Sequence, residues 1–273
     1  MTDVLLEVDD LHKSYRTQGS VVDAVAGVGF SLPYGGSLGI VGESGSGKST
    51  IARMLIGLER PDSGSIVVDG TALERPRGRA ARLERAKAIQ IVFQDPYLSL
   101  DPRMPVRDAL DAVLKLHTSL DRDARALRTS ELLGQVGLGE REAGVLPRRL
   151  SGGQRQRVAI ARALAVDPRV LVLDEAVSAL DVSVQAQVLN LLRDIREETG
   201  IALVFISHDL AVVRYVCEET LVMQRGRVVE SGPTRQLLDH PGSAYTRLLL
   251  SAVPHVGWDP ESVFRLRREL ETS

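Results

Sequence analysis

The spacing of apolar and polar residues divides the chain into parts with different expected structure. In roughly the first ninety residues, short apolar runs are separated by turns rich in Gly, Pro and Asp, which is typical of β-strands. The predicted strands cover residues 5–8, 25–32, 37–41, 65–68 and 89–93. A helix is expected to begin near Gly47, among these strands.

Helical spacing replaces this pattern from about residue 102 to residue 166. Good helix formers recur in residues 107–116, 122–136 and 154–165, which predicts an inserted helical subdomain. Beyond it, apolar runs at 170–173 and 201–206 are typical of buried strands, and an amphipathic stretch at 184–198 separates them. Because strand, helix and strand alternate, we expect a parallel sheet with both faces covered.

A hairpin is predicted near the end of the apolar pattern. Residues 221–223 and 227–229 flank Gln224, Arg225 and Gly226, which have the composition of a turn. The remaining residues are polar and partly helical in pattern.

Composition narrows the function classes. With 273 residues, 44% of them hydrophobic, the chain can bury a sizeable core as one elaborated domain or two closely joined lobes. The net charge of −2 argues against a broad electrostatic grip on nucleic acid. The single cysteine, Cys217, excludes an internal disulfide framework and is expected to fill core space.

Neither an export signal nor a membrane span is expected. The first ten residues are acidic where a signal peptide needs a basic start, and the apolar runs are far shorter than the ~20 residues that cross a bilayer. We therefore expect any membrane role to depend on partner proteins. A locally basic run at 74–87 lacks aromatic residues, so a solvated face or loop is favoured there over a phosphate-binding patch.

A phosphate-binding loop follows the strand predicted at 37–41. Residues 42–49 read GESGSGKS, which fits the pattern G-x-x-x-x-G-K-[ST], and helix-compatible residues come next. Glycines let the backbone curl and point successive N–H groups inward, and the helix N-terminus adds positive potential. Lys48 is predicted to reach the outer phosphates of a nucleotide, and Ser49 to offer its hydroxyl to Mg²⁺.

Two carboxylates follow the predicted strand at 170–173. Asp174 and Glu175 would lie at the carboxyl edge of the sheet, where open α/β sheets bind ligands, so the segment resembles a Walker B strand. Asp174 is predicted to help hold Mg²⁺, and Glu175 to orient or deprotonate the water that attacks the γ-phosphate. Without the phosphate-binding loop, this pattern would more often indicate a strand end with exposed charges.

The sequence LSGGQ at 150–154 opens another predicted helix and provides a second potential anion site. With it, the chain resembles the ABC ATPase family over roughly residues 5–232. The resemblance implies a P-loop NTPase core of the α/β class, with an N-terminal antiparallel β region and an inserted helical subdomain at about 95–166. It further implies that Ser151 and the amides of Gly152 and Gly153 bind the γ-phosphate held by a second subunit.

Smaller matches occur in the order expected for this family. The resemblance implies that Tyr15 stacks on adenine, that Gln94 lies near Mg²⁺ and that His208 is the switch histidine. It also makes residues 178–181 a dimer-contact loop. Residues 176–177 are Ala-Val where many relatives have Pro-Thr, a change that removes no catalytic group.

The site prediction comprises three groups of residues. The predicted ATP contacts are Tyr15, Gly42, Glu43, Ser44, Gly45, Ser46, Gly47, Lys48, Ser49, Thr50, Ser151, Gly152, Gly153, Gln154 and Asp181. The predicted catalytic residues are Glu175, His208 and Gln94, and the predicted Mg²⁺ ligands are Ser49, Gln94 and Asp174.

Three further stretches resemble ATPase subunits of peptide importers, namely residues 92–103, 175–183 and 240–254. The resemblance implies a membrane-bound assembly with two permease subunits, a second ATPase chain and, indirectly, an extracytoplasmic solute-binding protein, and it implies no nucleic-acid partner. In it, residues 94–104 are the expected coupling surface, and residues 233–273 are a C-terminal extension of the core at 1–232. Some relatives carry a C-terminal iron–sulfur centre, which Cys217 alone cannot build.

Alternatives remain at this level. The same motor could import nickel or another small solute. A soluble ABC-type ATPase acting on DNA or ribosomes, and a nucleotide-binding regulator that does not hydrolyse ATP, are different classes of protein. The presence of Glu175 and His208 argues against the regulator, because a protein that only senses ATP does not need groups that activate water. The absence of a net positive charge and of a second ATPase cassette in this sequence argues against the soluble ATPase.

Overall fold

The computed structural model describes residues 4–17, 19–73, 78–95 and 99–252, which form strands and helices in mixed order. The strands are β1 (Val4–Thr17), β2 (Ser20–Pro33), β3 (Ser37–Val41), β4 (Ser63–Val68), β5 (Thr71–Ala72), β6 (Ile89–Val92), β7 (Val170–Asp174), β8 (Ala202–Ser207), β9 (Glu219–Gln224) and β10 (Arg227–Pro233). The helices are α1 (Lys48–Leu55), α2 (Gly78–Ala88), α3 (Val106–His117), α4 (Arg122–Gln135), α5 (Glu140–Ala143), α6 (Gly152–Leu164), α7 (Val182–Thr199), α8 (Leu210–Val216), α9 (Thr234–Asp239) and α10 (Ala244–Ser251). A 3₁₀ turn, Pro147–Arg149, precedes α6.

One sheet is antiparallel and is built from the N-terminal part of the chain. Its strand order in the described residues is β2-β1-β4-β5. The pairing of β1 with β2 continues to Thr17 opposite Ser20, through several register shifts. The predicted antiparallel region is therefore present and its first strand is longer than the predicted residues 5–8.

The other sheet carries the order β10-β9-β3-β8-β7-β6. Its strands run parallel except β10, which returns antiparallel along β9 as the predicted hairpin. Strand β3 lies between β8 and β9, so both of its neighbours come from the C-terminal third of the chain. The carboxyl ends of β3, β7 and β8 consequently meet at one edge of the sheet.

Both faces of the parallel sheet are covered, as the apolar runs predict. In β7, Val170 and Val172 pack into a core shared with the antiparallel sheet and α1, whereas Leu171 and Leu173 pack into a core shared with the helices. Phe205 of β8 is fully buried on the helical side. Alternating side chains of one strand therefore stabilise two different layers.

The helices α3 to α6 lie between β6 and β7 in the chain, which confirms the inserted helical subdomain of the fold prediction. Their core contains Leu110, Leu114, Leu132 and Ile160. Of the stretch proposed for coupling, residues 96–98 lie outside the described part of the chain, as do residues 253–273 of the predicted C-terminal extension.

Two expectations about individual residues had different outcomes. Cys217 is buried, as expected, and burial raises the pKa of its thiol. The expectation that the basic run is a solvated face or loop is wrong for Arg85, which is buried and donates to the carbonyls of Met54 and Leu55 at the end of α1. A guanidinium can donate to such helix-end carbonyls.

No helix in the described residues is both long enough and apolar enough to cross a bilayer.

Candidate functional site

The glycine-rich loop connects the end of β3 to the start of α1. Its backbone lies in close contact with other strands. Gly42 has φ 153°, and a Cβ there would lie 2.2 Å from the carbonyl oxygen of Met223. Gly47 has φ 106°, and a Cβ there would lie 2.1 Å from the carbonyl oxygen of Ala24. Both positions therefore require glycine, for backbone conformation as well as for space.

Lys48 folds back over this loop. Its Nζ donates to the carbonyl oxygens of Gly42 at 2.7 Å and Glu43 at 2.8 Å, and lies 3.4 Å from the hydroxyl of Ser46. Burial lowers the pKa of the ammonium, although nearby carboxylates, including that of Glu175, oppose this shift. The lysine is thus held in place by the loop that it is predicted to serve.

Ser49 and Asp174 meet at the edge of the parallel sheet. The Ser49 hydroxyl donates to Asp174 Oδ1 at 3.2 Å. Burial, joined by the neighbouring Glu175 carboxylate, raises the pKa of Asp174 above its ordinary value even though the Ser49 hydrogen bond opposes this. This hydroxyl and this carboxylate provide two neighbouring oxygen donors. Oxygen donors are the ligands that a hard divalent cation such as Mg²⁺ prefers.

Glu175 has an unusual backbone conformation that directs its side chain. Its φ is 50°, in the left-handed region, and its N–H donates to the carbonyl oxygen of Ile206 at 2.9 Å. Its Oε1 lies 3.3 Å from Nδ1 of His208, which follows β8. The imidazole is 59% exposed and the carboxylate 24% exposed, so water can reach the pair.

Gln94, which follows β6, joins this group through a serine. Its Nε2 donates to Ser178 Oγ at 3.2 Å, and that hydroxyl donates to the carbonyl oxygen of Glu175 at 2.9 Å. Sequence reasoning assigned Ser178 only to a contact loop and missed this bridging role.

The LSGGQ segment begins α6 with a complete capping box. Ser151 Oγ accepts from the N–H of Gln154 at 3.2 Å, and Gln154 Oε1 accepts from the N–H of Ser151 at 2.9 Å. Gly153 faces the start of α7, where a Cβ would lie 2.3 Å from Cγ1 of Val184. The nearest neighbours of the segment are therefore α7 and the loop before it, rather than the glycine-rich loop.

The contacts that the structure shows for Asp181 and Tyr15 are with residues close to them in the sequence. Asp181 caps α7 by accepting from the Val184 N–H at 2.9 Å and the Ser183 hydroxyl at 2.7 Å, which lowers the pKa of Asp181. Tyr15 is on β1 of the antiparallel sheet, and the Lys13 ammonium lies 5.6 Å from the centroid of its ring. That sheet reaches the glycine-rich loop through β2.

Two further contacts on the loop were not anticipated. The Gly226 N–H in the β9-β10 turn donates to the carbonyl oxygen of Ser46 at 3.0 Å. The hydroxyl of Tyr245, in α10, accepts from the N–H of Glu43 at 3.1 Å. The sequence singled out the stretch containing Tyr245 but offered no signal of where it docks.

A family model described as "ABC transporter" matches residues 25–178 of the chain. The dipeptide transport ATP-binding protein DppF of Escherichia coli K12 is 45% identical over 261 residues, which are 93% of this chain and 78% of that protein. The oligopeptide transport ATP-binding protein OppF of Bacillus subtilis 168 is 43% identical over 255 residues, covering 93% and 84% respectively.

Solved structures with the same fold include a dimeric post-hydrolysis state of the ATP-binding cassette MJ0796 with ADP and Pi, at a TM-score of 0.76 and 30% identity. The match covers 85% of this chain and 99% of that one. Another is cbiO1 from Clostridium perfringens, part of the transporter complex cbiONQ, at a TM-score of 0.78 and 29% identity over 93% of this chain and 98% of that one.

Proposed function

Because this chain belongs to the ABC transporter family and is an ATPase subunit by that membership, we propose that it drives the uptake of peptides through transmembrane partner subunits. The observation that carries the ATP-hydrolysing part of this proposal is the meeting of three strand ends at one edge of the parallel sheet. Lys48 and Ser49 after β3, Asp174 and Glu175 at β7, and His208 after β8 all lie there.

Each of these groups suits one requirement of phosphoryl transfer to water. We propose that Lys48, whose ammonium already lies at the loop carbonyls, neutralises charge on the outer phosphates of ATP. Ser49 and Asp174 would hold Mg²⁺, which when bound offsets the charge on the transferred group.

Glu175 is proposed to accept a proton from the attacking water. Its carboxylate contacts His208 and remains partly exposed, so a water molecule can reach it. Gln94, joined to the Glu175 backbone through Ser178, is placed to report the state of this group to the helical subdomain. His208, in direct contact with Glu175, is proposed to orient its carboxylate toward the attacking water.

We further propose that the site is completed by a second ATPase chain. The LSGGQ segment packs on α7 within its own chain, and a helix N-terminus such as this one favours anions. A head-to-tail pair would bring this end onto the nucleotide of the opposite chain. The dimeric state of the MJ0796 cassette supports the participation of a second ATPase chain.

Peptides are proposed as the transported solute because the relatives DppF and OppF are named for dipeptide and oligopeptide transport. Two permease subunits and an extracytoplasmic solute-binding protein would then complete the importer. The chain would bind the inner face of the cell membrane through the permeases, with residues 233–273 as an extension beyond the ATPase core at 1–232.

The test is uptake of labelled dipeptides, oligopeptides and nickel by cells that lack the chain, complemented with either the parental chain or Glu175→Gln. Peptide uptake restored by the parental chain alone supports the proposal. Restored nickel uptake without peptide uptake would overturn the assignment of peptides as the transported solute. ATP hydrolysis by a chain that never co-purifies with permeases from detergent-solubilised membranes would favour the soluble class instead.

A further inference from the structure

Helix α10 places a buried tyrosine against the glycine-rich loop. Tyr245 is only 3% exposed, and its hydroxyl accepts from the backbone N–H of Glu43 at 3.1 Å. The two residues are 202 positions apart, so the contact brings the segment beyond the β9-β10 hairpin directly to the loop.

A carboxylate on β10 helps to dock the start of α10. Glu230 accepts from the N–H groups of Gly242 at 2.7 Å and Ser243 at 3.0 Å, just before the helix begins. Partial burial raises the pKa of Glu230, but the Thr246 side chain on α10 and these two N–H donors together hold it below its ordinary value. Ser243 in turn caps α10, because its Oγ accepts from the Tyr245 N–H at 3.2 Å.

The peptide groups around Glu43 also hold the lysine of the loop. The Glu43 carbonyl oxygen accepts from Lys48 Nζ at 2.8 Å, while the Glu43 N–H is the group that Tyr245 binds. An acceptor fixed by the fold therefore restrains the backbone at the residue on which Lys48 rests. A loop restrained before ligand arrives loses less conformational freedom when it binds phosphate.

We propose that Tyr245 is a positioning residue for the glycine-rich loop, through which the C-terminal segment sets the affinity of the chain for nucleotide. The proposal rests on the nucleotide site proposed above. Tyr245 contacts the loop backbone and acts through Glu43 and Lys48. Its expected effect is on binding of ATP and ADP alike, because both nucleotides carry the phosphates that the loop cradles.

The test is Tyr245→Phe, which keeps the buried ring and removes only the hydroxyl. Dissociation constants for ATP and ADP are measured by titration, and KM and kcat by steady-state hydrolysis. Both dissociation constants and KM should rise about three- to tenfold, the range for one hydrogen bond between neutral groups, with kcat at saturating ATP nearly unchanged. Tyr215→Phe is the matched control, because its hydroxyl contacts Asn190 and Arg193 on α7 instead; it should leave all four quantities at parental values.

A second variant tests the route through α10. Glu230→Ala removes the acceptor that docks the start of this helix, so it should weaken nucleotide binding in the same direction. Combined with Tyr245→Phe it should add little further loss, because both changes release the same restraint. Fully additive losses would overturn this route.

Parental affinity in Tyr245→Phe would overturn the proposal, as would a fall in kcat with unchanged KM. Failure of the parental chain itself to bind ATP would instead refute the nucleotide site, so the two failures are distinguishable.

Discussion

Two individually inactive variants are expected to restore one another when mixed, if the site is shared between two chains. Lys48→Ala removes the ammonium that lies at the loop carbonyls, and Ser151→Arg fills the start of α6 with a bulky cation. Neither homodimer contains a whole site. A mixed dimer contains one site built from two intact halves and one with both halves damaged.

The magnitudes favour a clear result. Losing a charge-assisted contact at Lys48 costs about 1.5–3 kcal/mol, or roughly 10- to 150-fold in ATP affinity. Losing the Ser151 cap costs about 1 kcal/mol, well below the roughly 5–15 kcal/mol that keeps a domain folded. Both variants should therefore remain folded, which thermal melts in the absence of nucleotide will check.

The assay is occlusion of labelled ATP, with Glu175→Gln added to both chains so that hydrolysis does not empty the site. In an equal mixture, about half of the dimers are mixed and each holds one nucleotide, so occlusion should return to about one quarter of the doubly intact level. Differently tagged chains allow the mixed dimers to be isolated, and in these the value should be about one half. Mixed dimers that form but occlude no ATP would refute the head-to-tail arrangement.

Three further changes test individual features. Glu175→Gln should retain Mg-ATP binding and accumulate ATP-bound dimers by size-exclusion chromatography with light scattering, while its turnover nearly vanishes; turnover near the parental rate would contradict the role of Glu175. Gly153→Ala should lower the free energy of unfolding by about 1–3 kcal/mol in denaturant titrations, because the added Cβ would lie 2.3 Å from Val184. Adding Val184→Ala should relieve most of this loss. An equal loss in the double variant would show that the clash is not the cause. Asp174→Asn should raise the melting temperature of the nucleotide-free chain near neutral pH and abolish Mg²⁺-dependent hydrolysis, because burial raises the Asp174 pKa and the ionised form there costs stability. That gain is lost as the pH falls and Asp174 becomes protonated, so a gain that persists at low pH would contradict the reasoning.

Strands that are buried on both faces were the most predictable part of the fold. Residues 170–173 and 201–206 are continuous apolar runs because each strand packs into two cores, and the structure has β7 and β8 there. The first strand was predicted as 5–8 but extends to Thr17, because backbone pairing with β2 continues through register shifts that leave no apolar alternation. Strand β6 ends at Val92, one residue before the predicted end.

Contacts between distant residues account for what the sequence did not predict. Arg85 belongs to a run of charges typical of an exposed face, and its burial depends on carbonyls of α1 that no local pattern locates. The bridge from Gln94 to Ser178 and the contact of Tyr245 with Glu43 likewise depend on how separate elements dock. Motifs identified which residue types the chemistry needs, while their mutual geometry was a property of the tertiary structure.

The place of β3 between β8 and β9 has a consequence for synthesis of the protein on the ribosome. The strand that leads into the glycine-rich loop emerges early, but Gly39 aligns with Phe205 on one side and with Thr220 on the other. A nascent chain can therefore form the antiparallel sheet from segments that are near in sequence. It can place β3 in the parallel sheet only after β8 and β9 have been synthesised. The ability to bind ATP should therefore arise late in translation. Until then the apolar strand β3 has no partner strands, and something other than the finished sheet must keep it from aggregating.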